Sequence, residues 1–541
     1  MRLTEPAILI LGGGINGASV ARELVLNGIP VCLVDEGDLV SGATAHSSRL
    51  IHGGVRYLEY AEFRLVREAL AERERLLRNA PQFVQPLQFA LPVGQRLGGE
   101  RAALRRLFGL AARQGSRRGL WLLSAGLWLY DRLASSSRLP RHTLRSVSDA
   151  DVPHVDPGQF RWLCCYWDAQ MWYPERYTLA LLRDSAEVAS AQGLEFHVLP
   201  YAHVRREGSR VVVEARERQQ SGGKSNLLQA WQAAWEPPLI INASGAWGDR
   251  TLAALQVNSP PLFGGTKGSH FLTSQPALRV ALGGIAVYAE TRDGRMVFII
   301  PYQDRVLVGT TDLPWNGDPR DATTTEEELS YLLELVAEIF PRVNLCRADI
   351  DSTTCGVRPL PASDSGDPGS ISRDHRIVVQ EGRPPVLTLV GGKLTTSRQL
   401  GELVADQVLH RLGKTRQAST VDRIVPGGES YPRSASDWDS VCQQVAGETG
   451  WEYETVRRTA ELLGTRAWEL LRRLALEKNN VADSRLVKGT WFPRRLVRWI
   501  IKHEWVRHVD DLIERRLMLH LAGPVRSDTR EELAMLLADS R

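Results

Sequence analysis

The stretch AILILGGGINGASVARELVLNGIPVCLVDEG, residues 7–37, reads as strand, glycine turn, helix and second strand in direct succession. An apolar run leads into Gly12, Gly14 and Gly17 at G-x-G-x-x-G spacing. Ala18, Val20, Ala21, Leu24 and Val25 then recur at helical intervals up to Gly28, and a second apolar run ends in acid. Glycines at these positions let the backbone turn tightly and approach a pyrophosphate, while the helix presents its N-terminus to that anion. Asp35 follows at about the twenty-residue distance expected of a ribose-binding acid, with Glu36 as the adjacent alternative. The pattern predicts a dinucleotide site over the plainer reading of a glycine-rich turn in an unrelated α/β protein. NAD and FAD share this fingerprint, so the unit alone does not choose between them.

Outward from this unit, EFRLVREALAERERLLR (62–78) predicts an amphipathic helix that stops near Pro81. Residues 94–145 differ in composition. Arg96, Arg101, Arg105, Arg106, Arg113, Arg117 and Arg118 precede a Trp/Leu-rich run, GLWLLSAGLWLY (119–130), which predicts a basic interfacial element. From about 150 to 400, short Val-rich strands alternate with loops rich in Gly, Pro and Asp, and after Gly427 the pattern is helical to the end. The stretch 413–435 reads as a linker.

At 541 residues the chain exceeds a single comfortable core, and its length suggests about two to four domains. Apolar content of 43%, charged content of 24% and a net charge of +4 are those of an ordinary globular protein with a slight preference for anionic partners. No recognition motif supports a nucleic-acid role. The six cysteines show neither metal-ligand spacing nor a disulfide framework, so no metal is expected and a reducing compartment is; Cys164 and Cys165 read as packing residues. The N-terminus lacks the features of an export signal, and no apolar run approaches the length of a membrane span. A membrane, if met, is met at its surface.

With SGATAHSSRLIHGGVRYLEYAEFRLVREALAERERLLRNAP (41–81) included, the sequence resembles the FAD-dependent glycerol-3-phosphate dehydrogenase family. Further matches are INASGAWGD (241–249), GTKGSH (265–270), VLVGTTD (306–312), CGVRPL (355–360), SRDH (372–375), GGKLTTSR (391–398) and KHEWVRHVDDLIERR (502–516). The resemblance implies a non-covalent FAD and oxidation of sn-glycerol 3-phosphate to dihydroxyacetone phosphate, with electrons passing to a membrane quinone. It also implies a mixed α/β fold: a Rossmann-like FAD-binding domain, an interleaved β-sheet substrate domain and an all-α C-terminal domain. The corresponding boundaries are 1–95 for the first part of the FAD domain, 96–145 for the basic segment, and 146–260 for the FAD domain continued. The substrate domain takes 261–350, the return to the FAD domain 351–412, the linker 413–435 and the helical domain 436–541.

The resemblance further implies that Arg56, Thr310, Arg358, Arg373 and Lys393 line the substrate site. Arginine suits that task, because it offers bidentate, charge-assisted bonds to phosphate oxygens. For FAD it implies Gly12, Gly14, Gly17, Asp35 or Glu36, Thr44, Ser47 and Ser48, with Gly245, Gly392, Lys393 and Leu394 completing the pocket. Arg358 keeps its proton and so suits stabilisation of alkoxide charge rather than base work. His52 and His270 both remain open as the base that takes the hydroxyl proton.

The Arg cluster and Trp/Leu run suggest attachment to an anionic membrane surface, on the cytoplasmic side of the cell membrane. Ordinary core packing of the same stripe is the alternative. A homodimer is one assembly open to the chain. Where the family carries D-D-A-R, this chain reads DAQMWYPERYTLALL (168–182), keeping Arg176 but placing Trp172, Tyr173 and Pro174 before it; a helix start bordering the pocket there would alter the substrate. His46 and the basic stretch 95–118 are also unusual, and 217–235 has no clear reading. Rival functions are a flavin oxidase of the same scaffold that uses oxygen or another small phosphorylated or hydroxy-acid substrate, and a non-catalytic FAD-binding subunit at the membrane.

Overall fold

The computed structural model describes residues 8–98, 118–134, 138–221, 224–290, 296–362, 374–477 and 485–540. Among these, the strands form three sheets. The first runs in the order Arg376–Gln380, Val386–Val390, Leu239–Asn242, Ile8–Leu11, Val31–Val34, Phe196–Leu199. All neighbours in it are parallel except the antiparallel edge pair at Arg376–Gln380. Strands covered on both faces read as continuous apolar runs, and Ile8–Leu11 shows why. Ile8 and Ile10 point into a core built with the helices Ile15–Leu26, Pro174–Gln192 and Ser397–Arg411. Leu9 and Leu11 point the other way, into a core with the three-stranded sheet of Ala202–Glu207, Arg210–Ser221 and Lys224–Trp235. The described residues of 217–235 thus lie in two antiparallel strands, in which Trp235 pairs with Val211.

The largest sheet contains ten strands, including Thr266–Thr273, Met296–Tyr302, Arg305–Gly309 and Ser352–Arg358. Val84–Val93 and Trp162–Met171 also belong to it, pairing along their whole length. Residues assigned from sequence to the flavin domain therefore contribute strands to this largest sheet, and the boundaries at 95 and 146 cut across it. The helix Phe63–Asn79 forms as its amphipathic pattern requires. Of the basic interfacial segment, residues 99–117 lie outside the described residues, while Leu120–Leu133 is a helix. None of the helices among the described residues is long and apolar enough to cross a membrane.

The C-terminal part is helical. Ala435–Thr449, Tyr453–Leu463 and Arg466–Leu476 share a small core around Cys442, Val456 and Leu471, and Arg494–His503 and Ser527–Asp539 follow. The stretch 413–435 contains almost no regular structure but is bound along the flavin half. Arg416 pairs with Glu23 at 2.6 Å, Arg423 with Asp184 at 2.7 Å, and Val425 N–H donates to Asn79 O at 2.7 Å.

Two buried ion pairs join the helical part to the flavin half. Arg176 holds Glu504 through both guanidinium nitrogens at 2.6 and 2.8 Å. Asp38, three residues beyond Asp35, accepts from Arg516 Nη2 at 2.8 Å and from Arg515 Nε at 2.5 Å. A single π-helical turn, Leu512–Arg516, lets two consecutive arginines reach one carboxylate. Burial acts to raise the Asp38 pKa, but the two guanidiniums outweigh it and hold the group below the usual carboxylate range.

Candidate active site

The first sheet delivers the glycine loop to its carboxyl edge. Two positions admit nothing larger than glycine: a Cβ on Gly17 would sit 1.9 Å from Gly12 O, and one on Gly12 (φ +111°) would sit 2.4 Å from Ala243 O. The loop thus packs directly against the turn that leads to Gly245, which opens a short 3-10 turn. Gly14 caps the helix Ile15–Leu26 without a side chain, and Thr44 Oγ1 accepts the Ile15 N–H at 3.2 Å. Asp35 accepts from Gly13 N at 2.6 Å and Gly37 N at 2.9 Å, so its carboxylate lies on the glycine loop. Burial pushes its pKa up to about 6, against those two N–H groups. Glu36 is exposed instead and bonds His203 at 2.7 Å and also Arg320. The acid beside the loop is therefore Asp35. A bare glycine backbone, a helix N-terminus with no side-chain cap and an adjacent acid are the chemistry that a dinucleotide requires.

A connected set of contacts runs from this loop through most of the residues expected at the substrate. Ser47 Oγ donates to Thr44 O at 3.1 Å, and Ser48 Oγ meets His270 Nε2 at 2.8 Å. His270 lies on the strand Thr266–Thr273, next to Ser352–Arg358. Arg358 reaches Thr310 Oγ1 at 2.9 Å, Thr311 O at 3.0 Å and Asp312 at 2.8 Å. Pro359 O, one residue on, accepts Gly391 N at 2.9 Å. That tie brings in the loop of Gly392, Lys393 and Leu394, where Lys393 Nζ lies 3.8 Å from the centre of the Tyr57 ring. Tyr57 follows Arg56 on the short turn Val55–Tyr60, and His52 N–H donates to Thr395 Oγ1 at 3.1 Å. Arg373 lies outside the described residues. Its neighbour Asp374 is bound by Arg64 at 2.6 Å, from the helix that follows the Arg56 turn.

The two histidines differ. His270 is fully buried, and burial followed by the Arg358 and Arg49 charges drives its pKa to about 3. It is a neutral hydrogen-bonding group. His52 is half-buried, with the edge of its ring toward Phe298 at 6.3 Å between centroids.

Some residues of the site escape sequence reasoning. Gly53 N–H donates to Tyr130 OH at 2.8 Å, Tyr130 OH donates to Asp168 at 2.8 Å, and Arg73 pairs with the same Asp168 at 2.6 Å. This buried trio fixes the His52–Gly54 turn from behind. Asp312, which orients Arg358, stands in the VLVGTTD motif and was the one signal available. The helix start at 172–176 is engaged in ion pairs within the protein. Arg176 binds Glu504 rather than substrate, and Glu175 holds Arg49 at 2.6 and 2.9 Å. Arg49 also donates to Trp172 O at 2.8 Å, so the replaced residues buttress the segment that carries Ser47 and Ser48.

Comparison with known proteins agrees with this geometry. Residues 7–407 match the family described as FAD dependent oxidoreductase, and 418–540 match the C-terminal domain of alpha-glycerophosphate oxidase. A glycerol-3-phosphate dehydrogenase of Pseudomonas aeruginosa is 33% identical over 95% of this chain and 92% of its own length. The D-erythritol 1-phosphate dehydrogenase of Brucella abortus is 31% identical over 96% of both chains. Among solved structures, the Bacillus halodurans glycerol-3-phosphate dehydrogenase complexed with FAD superposes with a TM-score of 0.67 at 20% identity, covering 99% of this chain and 95% of that one. The chain belongs to the FAD dependent oxidoreductase family, in the group that holds the glycerol-3-phosphate dehydrogenases.

Proposed function

We propose that this flavoprotein oxidises sn-glycerol 3-phosphate to dihydroxyacetone phosphate and passes the electrons to a membrane quinone. The observation that carries the reading is the series of hydrogen bonds, strand pairing and chain neighbours that links the Asp35 loop through Ser48, His270, Arg358 and Lys393 to Tyr57 and Arg56. The relatives named for this substrate support it.

In this reading Gly12, Gly14, Gly17, Asp35, Thr44, Ser47, Ser48, Gly245, Gly392 and Leu394 hold FAD. When bound, the flavin supplies a hydride acceptor at N5. Arg56, Arg373 and Lys393 receive the phosphate, and binding energy from that remote group aligns the reacting carbon. Arg358, held in one orientation by Thr310, Thr311 and Asp312, stabilises negative charge on the substrate oxygen. His52 takes the hydroxyl proton. His270 does not, because a group of pKa about 3 with Nε2 committed to Ser48 accepts no proton at neutral pH.

The helix Leu120–Leu133 supports attachment to an anionic membrane surface. It buries Leu120, Leu127 and Tyr130 while Trp121 and Trp128 stand 63% and 55% exposed, with Arg132 placed 4.9 Å from the Trp128 ring centre. Two indoles and a guanidinium on the outer side of an anchored helix suit the headgroup boundary.

Anaerobic mixing with phosphorylated polyols tests the proposal. Glycerol 3-phosphate should bleach the flavin band, and a quinone analogue should restore it faster than oxygen does. Bleaching by a tetritol phosphate but not by glycerol 3-phosphate would move the substrate toward that of the Brucella relative. Faster recovery with oxygen would make the protein an oxidase.

A further inference from the structure

A cavity of about 470 Å³ lies between the helix Pro174–Gln192 and the C-terminal helices, and no residue assigned to the reaction lines it. Its volume is that of a small-molecule site, which typically spans about 300–1,000 Å³. Phe83, Ala180, Leu462 and Leu470 supply apolar wall, and Arg176, Arg183, Arg466 and Arg473 supply four guanidiniums. The lining contains two carboxylates, Glu429 and Glu469. Glu429 is engaged by Arg466 at 3.1 Å, and Glu469 is exposed.

The arginines are not equally satisfied. Arg176 holds Glu504 at 2.6 Å and Arg466 holds Glu187 at 2.7 Å, ordinary lengths for charge-assisted bonds. Arg183 reaches the same two carboxylates only at 3.8 and 3.4 Å, after its neighbours have taken them. Its guanidinium lies 4.5 Å from the Trp499 ring centre, inside the cavity. Burial, together with the charges of Arg176 and Arg466, pushes its pKa below the ordinary guanidinium value despite those acids. Arg473, exposed like Glu469 at the rim, has no ion-pair partner among the described residues. An anion in the cavity would complete the bonds that Arg183 makes only at long range.

We propose that this cavity binds an amphipathic organic anion, with its carboxylate or phosphate head at the arginines and its apolar body along Phe83, Leu462 and Leu470. Such a ligand touches the flavin half and the helical part at once. The proposal stands on the cavity alone and is independent of the reaction assigned above.

Calorimetric titration of the detergent-free holoenzyme with decanoate and decyl phosphate, below their micelle concentrations, tests it. Saturable one-to-one binding is expected, with the tighter of the two identifying the preferred head group. Arg183→Met and Arg473→Glu should each weaken it at least tenfold while retaining bound flavin, and either variant suffices if the other does not fold. Absence of saturable binding would overturn the proposal. So would equal binding of decanol, which lacks the charge, equal binding of inorganic phosphate, which lacks the apolar body, or undiminished affinity in the variants.

Discussion

Replacing Asp38 with Asn removes one charge from the junction between the flavin half and the helical part and leaves Arg516 fully buried opposite an amide. The carboxylate is 1% exposed and Arg516 0%. Breaking a buried pair from one side costs about 3–5 kcal/mol, because the remaining charge is stranded. Arg515 keeps Glu514 and, at 3.5 Å, Asp511, so only one guanidinium is left unbalanced and the lower end, about 3 kcal/mol, is expected. Urea unfolding followed by the rise in fluorescence of released flavin measures the loss. Asp38→Asn combined with Arg516→Met should recover part of it, since an apolar replacement of both partners is often neutral. The pH dependence has a definite sign. Asp38 has a folded pKa below its unfolded value, so its contribution is complete above about pH 4 to 5 and disappears as pH falls through the depressed value. Wild type and variant should therefore differ by a constant amount near neutrality and converge in acid. A loss under about 1 kcal/mol, no recovery in the double variant, or a difference that persists in acid would refute the assignment.

Gly17→Ala places a methyl 1.9 Å from Gly12 O and should yield protein with little visible flavin absorbance relative to total protein. Arg358→Met should lower kcat by roughly 10²–10³-fold with the flavin retained, as removal of one charge-stabilising group does; near-normal turnover would remove it from the mechanism. His52→Asn should cost about 10²–10⁴-fold. His270→Gln, which keeps a partner for Ser48, should cost only about tenfold, the scale of one hydrogen bond. Because His270 titrates near 3, the kcat/KM profile of the wild type should show no inflection from it at neutral pH. Trp121→Ala with Trp128→Ala should reduce flotation with anionic liposomes, and unchanged flotation would assign the helix another role.

The glycine loop was legible because its evidence is local: two fully buried parallel strands have no polar alternation, and the G-x-G-x-x-G turn sits between them. Arg358, His270 and Lys393 were legible as residue types in motifs, yet nothing near them in sequence separates a buried neutral histidine from a catalytic one. That distinction depends on the burial of His270, and then on Arg358 and Arg49 lying close to it, which are tertiary facts. Trp162–Met171 fell within the region read as β-rich and Val84–Val93 had no reading as a strand, and periodicity does not say which sheet a strand joins. Arg176 was legible as a retained residue, but its role was not. Its partner Glu504 stands 328 positions away, and an ion pair of that span leaves no local pattern. The trio of Arg73, Tyr130 and Asp168 was hidden in the same manner.

The anchoring of Asp38 by the helical part also constrains how the protein is made. Asp38 leaves the ribosome early, whereas Arg516 is 478 positions further along. Throughout synthesis the flavin loop therefore carries a carboxylate whose counter-ion does not yet exist. A chain shortened before the last helices would leave both Asp38 and Arg176 open to water and without their opposite charges. The carboxy-terminal segment thus supplies the last partners of charges laid down early in the chain.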